Sequence, residues 1–139
     1  NNLVESEEEA HDLARLSNGS VQQALELRDP EVREFRDWFK RGLPEVSRDS
    51  VSFAKQVMQF VDAAGKDAPP RRARLRTIAM WGMEFYREQM REAVNSNEEP
   101  TRAEHSIAMA ERCLGVAKQV DSNANLTSVA EAWIDDLAR

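Results

Sequence analysis

Apolar positions recur at helical spacing along nearly the whole chain, and no stretch shows sustained period-two alternation. The pattern predicts seven helices and no sheet. Ser6 and Glu9 form a capping box for the first, whose core side is Ala10, Leu13 and Ala14, with Glu7, Glu8 and Glu9 placed where a helix dipole favours negative charge. Gly19 supplies the left-handed residue that ends it. Ser20, with Gln23 three residues on, caps a second helix carrying Val21, Ala24 and Leu25. Asp29-Pro30-Glu31 is a strong start signal for a third helix, with Val32, Phe35, Trp38 and Phe39, that stops near Gly42-Leu43-Pro44. A fourth is expected from about Ser47, with Ala54, Val57, Met58, Val61 and Ala64 at helical spacing, and ends at Gly65.

Asp67-Ala68-Pro69-Pro70 is a second cap-plus-proline start. The fifth helix then runs to about Val94, with Leu75, Ile78, Ala79, Gly82, Phe85, Tyr86 and Met90 on one side. Asn95 to Pro100 is the most polar loop. Thr101 and Glu104 read as a capping box for a sixth helix with Ala103, Ile107, Ala110, Leu114 and Ala117 as its apolar positions, which periodicity alone assigns neither to core nor to subunit contact. Asp121-Ser122-Asn123-Ala124-Asn125 breaks the chain, and Asn125 caps a last helix carrying Leu126, Val129, Ala130, Trp133 and Leu137. The expected fold class is all-α: two short helices over residues 1–29, too small to bury their own apolar face, then a bundle of about five helices over 30–139. No internal repeat is seen beyond general helicity.

Composition narrows this further. The 139 residues are 41 % hydrophobic and 32 % charged, which suits a solvated helical protein. Five glycines and five prolines disfavour a turn-rich β-sandwich. The single cysteine, Cys113, excludes an intrachain disulfide and points to a reducing, cytoplasmic setting. No apolar run approaches the ~20 residues of a membrane span. A formal net charge of -6 argues against wholesale nucleic-acid binding by this chain alone. Asn1 opens the chain without an initiator Met, and a piece of a longer protein is the expectation.

Few residues invite a chemical reading. Cys113 has Arg112 beside it but no paired base, so a packed thiol is expected. His11 and His105 lie far apart, without the convergent ligands a metal needs. Trp38, Trp81 and Trp133 read as core or interface anchors rather than a stacking platform. Arg71, Arg72, Arg74 and Arg76 are the sharpest anomaly, because cations at a helix N-terminus oppose its dipole. They form either a solvated face paired within the molecule or a contact with an acidic partner, protein or DNA phosphate. Neither a phosphate loop of the form Gly-x-x-x-x-Gly-Lys-Ser/Thr nor a Ser-Arg-Cys segment is present.

Two stretches carry a resemblance. Gly19-Ser20-Val21-Gln22-Gln23-Ala24-Leu25 resembles the closing lid helices of clamp-loader ATPases of the AAA+ family. Val120-Asp121-Ser122-Asn123-Ala124-Asn125-Leu126, ahead of a last amphipathic helix, resembles the collar of bacterial DNA polymerase III delta-prime subunits. The order of helices between them is similar as well. The resemblance implies the C-terminal end of a lid (1–29) followed by a collar domain (30–139) that holds a clamp-loader ring together during DNA replication. The expected partners are gamma/tau and delta subunits, with DNA met only through the whole complex and no membrane. Where ATP-binding relatives carry Arg in Gly-Ser-x-Arg-x-Ala-Leu, this chain has Gln22, which cannot make the charge-assisted phosphate contact. That favours the delta-prime-like form, implies no catalytic residue, cofactor or metal here, and leaves any ATPase site upstream. Trp81, Phe85, Tyr86 and Trp133 are the candidate subunit-interface residues, and Arg71, Arg72, Arg74 and Arg76 the candidate acidic-partner contact. Two alternatives remain: a gamma/tau-like ATPase subunit, and an unrelated helical adaptor bundle.

Overall fold

The computed structural model describes residues 28–96, 100–122 and 124–139. The first two predicted helices, with the Gly19–Leu25 turn, Gln22 and His11, lie outside the described residues, as does Asn123. Among the described residues the fold is all-α, with five α-helices and no strand: α1 (Pro30–Gly42), α2 (Ser50–Asp62), α3 (Ala68–Asn95), α4 (Pro100–Gln119) and α5 (Leu126–Ala138). A 3-10 segment, Leu43–Arg48, joins α1 to α2. No described helix is long and apolar enough to cross a membrane. The chain forms two compact units, residues 1–39 and 40–139.

Helix starts follow local chemistry. Asp29 accepts the backbone N–H of Glu31 at 2.9 Å ahead of Pro30. In α1 Val32 and Phe39 are buried, while Phe35 and Trp38 are half-exposed and touch at a ring distance of 5.1 Å. The start expected at Ser47 is displaced: residues 43–48 take the 3-10 form, and Asp49 caps α2 by accepting the Ser52 N–H at 3.0 Å. α2 buries Phe53, Ala54, Val57, Met58 and Val61. Gly65, with φ of 136°, then turns the chain in a conformation that side chains rarely adopt.

Two expected caps fail for identifiable reasons. Asp67 stands at the cap position of α3 but makes no side-chain cap bond. The residues whose N–H groups it would accept, Pro69 and Pro70, have none. Thr101 lies within α4, which begins at Pro100, so it cannot cap that helix. At α5 the expectation holds: the Asn125 side chain accepts the Ser128 N–H at 3.0 Å.

α3 and α4 form a long antiparallel hairpin. Its register is marked by Arg76 against Asp121, Gly82 against Cys113 and Arg102 against Gln89. α5 is short but central, packing on α2, α3, α4 and the 3-10 segment. It buries Val129, Ala130, Trp133, Ile134 and Leu137. The inward stripe of α4 is Ser106, Met109, Cys113, Val116 and, just beyond the helix, Val120. Of the apolar positions expected on this helix, Ile107 and Leu114 stay outside the core, 43 % and 39 % exposed.

Three helices meet at Gly82. A Cβ there would lie 2.8 Å from Cys113 Sγ and 3.3 Å from Trp133 Cζ2. Cys113 is fully buried, and that burial pushes its thiol from 9.0 up to about 12. The Tyr86 hydroxyl is also pushed up, chiefly by burial and secondarily by Cys113.

Three outcomes follow from these contacts. Asp49→Ala and Asn125→Ala should each cost about 1 kcal/mol and lower the melting temperature by a few degrees, while Ser47→Ala should leave it unchanged. Gly82→Ala should destabilise by about 1–3 kcal/mol in urea titrations. The Gly82→Ala/Cys113→Ala pair should cost less than the sum of its single changes, because losing the sulfur makes room for the added methyl. For pH, a thiol raised on folding favours the native state below its unfolded value. That stability should therefore fade as pH climbs from about 9 towards about 12, more steeply in the parent than in Cys113→Ala.

Candidate functional site

The arginine cluster at the start of α3 is turned to the molecule's own helix ends. α2 terminates a short connection away, leaving carbonyls without intrahelical donors and the negative end of a dipole. Arg74 Nη1 donates to the Phe60 carbonyl oxygen at 2.8 Å, and its guanidinium lies 4.2 Å from the centre of the Phe60 ring. Arg71 pairs with Asp62 at the last residue of α2, and Arg76 with Asp121 just past α4. Arg72, half-buried on the same turn, is engaged as well. The cost of cations at one N-terminus is thus offset by binding two neighbouring C-termini.

The aromatic candidates divide. Trp81, Tyr86 and Trp133 are buried within the chain, and Phe85 alone of the four keeps substantial accessible surface. Phe85 packs edge-on against Tyr86 at 5.1 Å between ring centres.

The surface left incomplete lies elsewhere, along the α3–α4 hairpin. Met83, Tyr86 and Met90 from α3, with Ser106, Ile107, Ala110 and Leu114 from α4, line an open groove of about 220 Å³. Val94, one turn beyond Met90, is 61 % exposed. Ile107, Ala110 and Leu114 follow the three-four spacing by which one helix presents a seam to another. Arg87 stands on the α3 wall and Glu111 on the α4 wall. Both are exposed, and neither has an ion-pair partner among the described residues.

Two further grooves are more polar at their edges. One, between α2 and α5, carries the exposed Val51 beside Lys55, Glu131 and Asp135. The other, between α4 and α5, has an Arg112–Asp136 pair at 3.1 Å on its border. Among the described residues no three His, Cys, Asp or Glu side chains gather as metal ligands. Cys113 faces the core, and its raised thiol value makes it a poor nucleophile at neutral pH.

Sequence reasoning left open whether Met90, Ile107, Ala110 and Leu114 were core or contact surface. The available signal was the width of apolar surface on α4: beyond Ser106 its polar side chains fall in pairs at 111–112 and 118–119, leaving more than one face to cover. Comparison with protein-family models, with curated proteins and with solved structures finds no match to this chain.

Proposed function

We propose that this chain acts by association, as the lid end and collar of a delta-prime-like clamp-loader subunit, and performs no bond-making chemistry itself. The observation that carries the association reading is the α3–α4 seam. Ile107 and Leu114 remain accessible on a helix whose Ser106–Met109–Cys113–Val116 stripe is already sealed. Covering such side chains is worth roughly 25 cal/mol per Å² of apolar surface, so a matching helical face would bind there. The specific reading is supported by the sequence Gly19-Ser20-Val21-Gln22-Gln23-Ala24-Leu25, the five helices from Pro30 onward and the Asn125-capped final helix. Gln22 favours a subunit that does not grip nucleotide phosphate. With the arginine cluster engaged inside the molecule, the seam becomes the preferred contact for gamma/tau-type siblings, and DNA is reached through the assembly.

The test is light scattering after size exclusion of this chain mixed with a gamma/tau-type clamp-loader subunit from the same source. A stable mixed assembly is expected. Ile107→Gln and Leu114→Gln should weaken it about tenfold each, with native circular dichroism retained, because both sites are part-exposed. Charge reversal at Arg72 or Arg76 should leave association unchanged. Failure to assemble, or assembly indifferent to both seam variants, would overturn the reading.

A further inference from the structure

We propose that the α3–α4 seam is self-complementary and that two copies of this chain pair through it about a two-fold axis running along the hairpin. The inference uses the seam as an association surface but does not depend on the clamp-loader reading.

Charge selects the occupant. The groove floor is apolar, with Met83, Met90, Ile107 and Leu114, and its walls carry one charge each, Arg87 on α3 and Glu111 on α4, neither paired among the described residues. A fitting partner must bring an acid against α3 and a base against α4. A half-turn about an axis parallel to the helices exchanges α3 with α4, so a second copy presents that order. Arg87 then meets the second copy's Glu111, and the same contact repeats on the other side, as an isologous interface requires.

A half-turn about the axis across the helices would instead set Arg87 on Arg87 and Glu111 on Glu111, a like-charge penalty at both walls. Helix direction is the same for both axes, since either one sets antiparallel helices face to face, so the wall charges alone choose between them. The hairpin register, with Gly82 level with Cys113, places Arg87 and Glu111 within about one helical turn of the same height. A long guanidinium side chain spans that offset. Each contact is peripheral and solvated, so the charges set orientation while the apolar floor supplies affinity.

Sedimentation of the full chain alone, from about 10 µM to about 1 mM, tests the proposal. The expected result is a reversible monomer–dimer equilibrium in that range. Arg87→Glu and Glu111→Arg should each remove the dimer while retaining native circular dichroism. The Arg87→Glu/Glu111→Arg double variant should dimerise again. An equimolar mixture of the two single variants should form a heterodimer although each is monomeric alone, since both contacts are then opposite in sign. A parent chain still monomeric at ~1 mM overturns the inference, as does a dimer that survives both single reversals or is not restored by the double one. A chain that stays monomeric yet joins the gamma/tau-type subunit sinks this inference and leaves the collar reading standing. Dimerisation without sibling binding supports the inference and removes the collar reading.

Discussion

The close approach at Gly82 governs the rest of this bundle. Helix axes can come near only where one helix offers no side chain, and there α3 admits both the Cys113 sulfur and the Trp133 ring edge. That contact sets the rotation of α4 about its own axis. Once Cys113 points at Gly82, the stripe Ser106–Met109–Val116–Val120 follows it inward at helical spacing. Ile107 and Leu114 lie about 100–120° around the helix from Cys113, too far to enter the same core. Their exposure is therefore a consequence of the Gly82 contact, and the seam follows from how the bundle closes.

Electrostatics does a different job at each end of the hairpin. At the start of α3, Arg71, Arg74 and Arg76 bind the ends of α2 and α4, so three chain segments are held where their dipoles would otherwise be unanswered. The exposed pairs contribute little individually. Arg74 is better placed, because its half-buried guanidinium combines a carbonyl hydrogen bond with an aromatic face. Nearby, Lys40 and Glu84 pair at 3.0 Å with both side chains largely covered, tying the end of α1 to the long helix. Along the middle of the hairpin Arg87 and Glu111 have no such partner among the described residues, so charge there does not help to close the fold.

Helix identity was legible because start signals are local. Asp29-Pro30 and Asn125 need only their own neighbours to act, and they act as expected. Gly65 likewise sits where a turn requires its φ of 136°. Asp67 shows where a pattern can mislead: the two prolines that mark the helix start also remove the N–H groups its carboxylate would accept. Ser47 lost to Asp49 because a 3-10 turn intervened, a choice made by the packing of Leu43 and Val46. The face of α4 was not legible at all. Ala103, Ile107, Ala110, Leu114 and Ala117 have the same periodicity as Ser106, Met109, Cys113, Val116 and Val120 and are, if anything, more uniformly apolar. Only the tertiary contact at Gly82 decides between the two stripes. The same ambiguity drew Trp81, Tyr86 and Trp133 into the candidate interface, since core and contact surface are built from the same residue types.

Seam and core are also physically continuous. Met83 and Tyr86 line the groove and are at the same time buried core residues. A partner seated on the groove would remove the remaining water from the outer edge of those side chains. It would therefore stabilise the three-helix contact beneath, because whatever binds the folded chain and not the unfolded one shifts the equilibrium by its binding free energy. The converse holds with equal force. An added methyl at Gly82 would rotate or lift α4, and with it Ile107 and Leu114, so a change hidden in the core would be read at the surface as altered association.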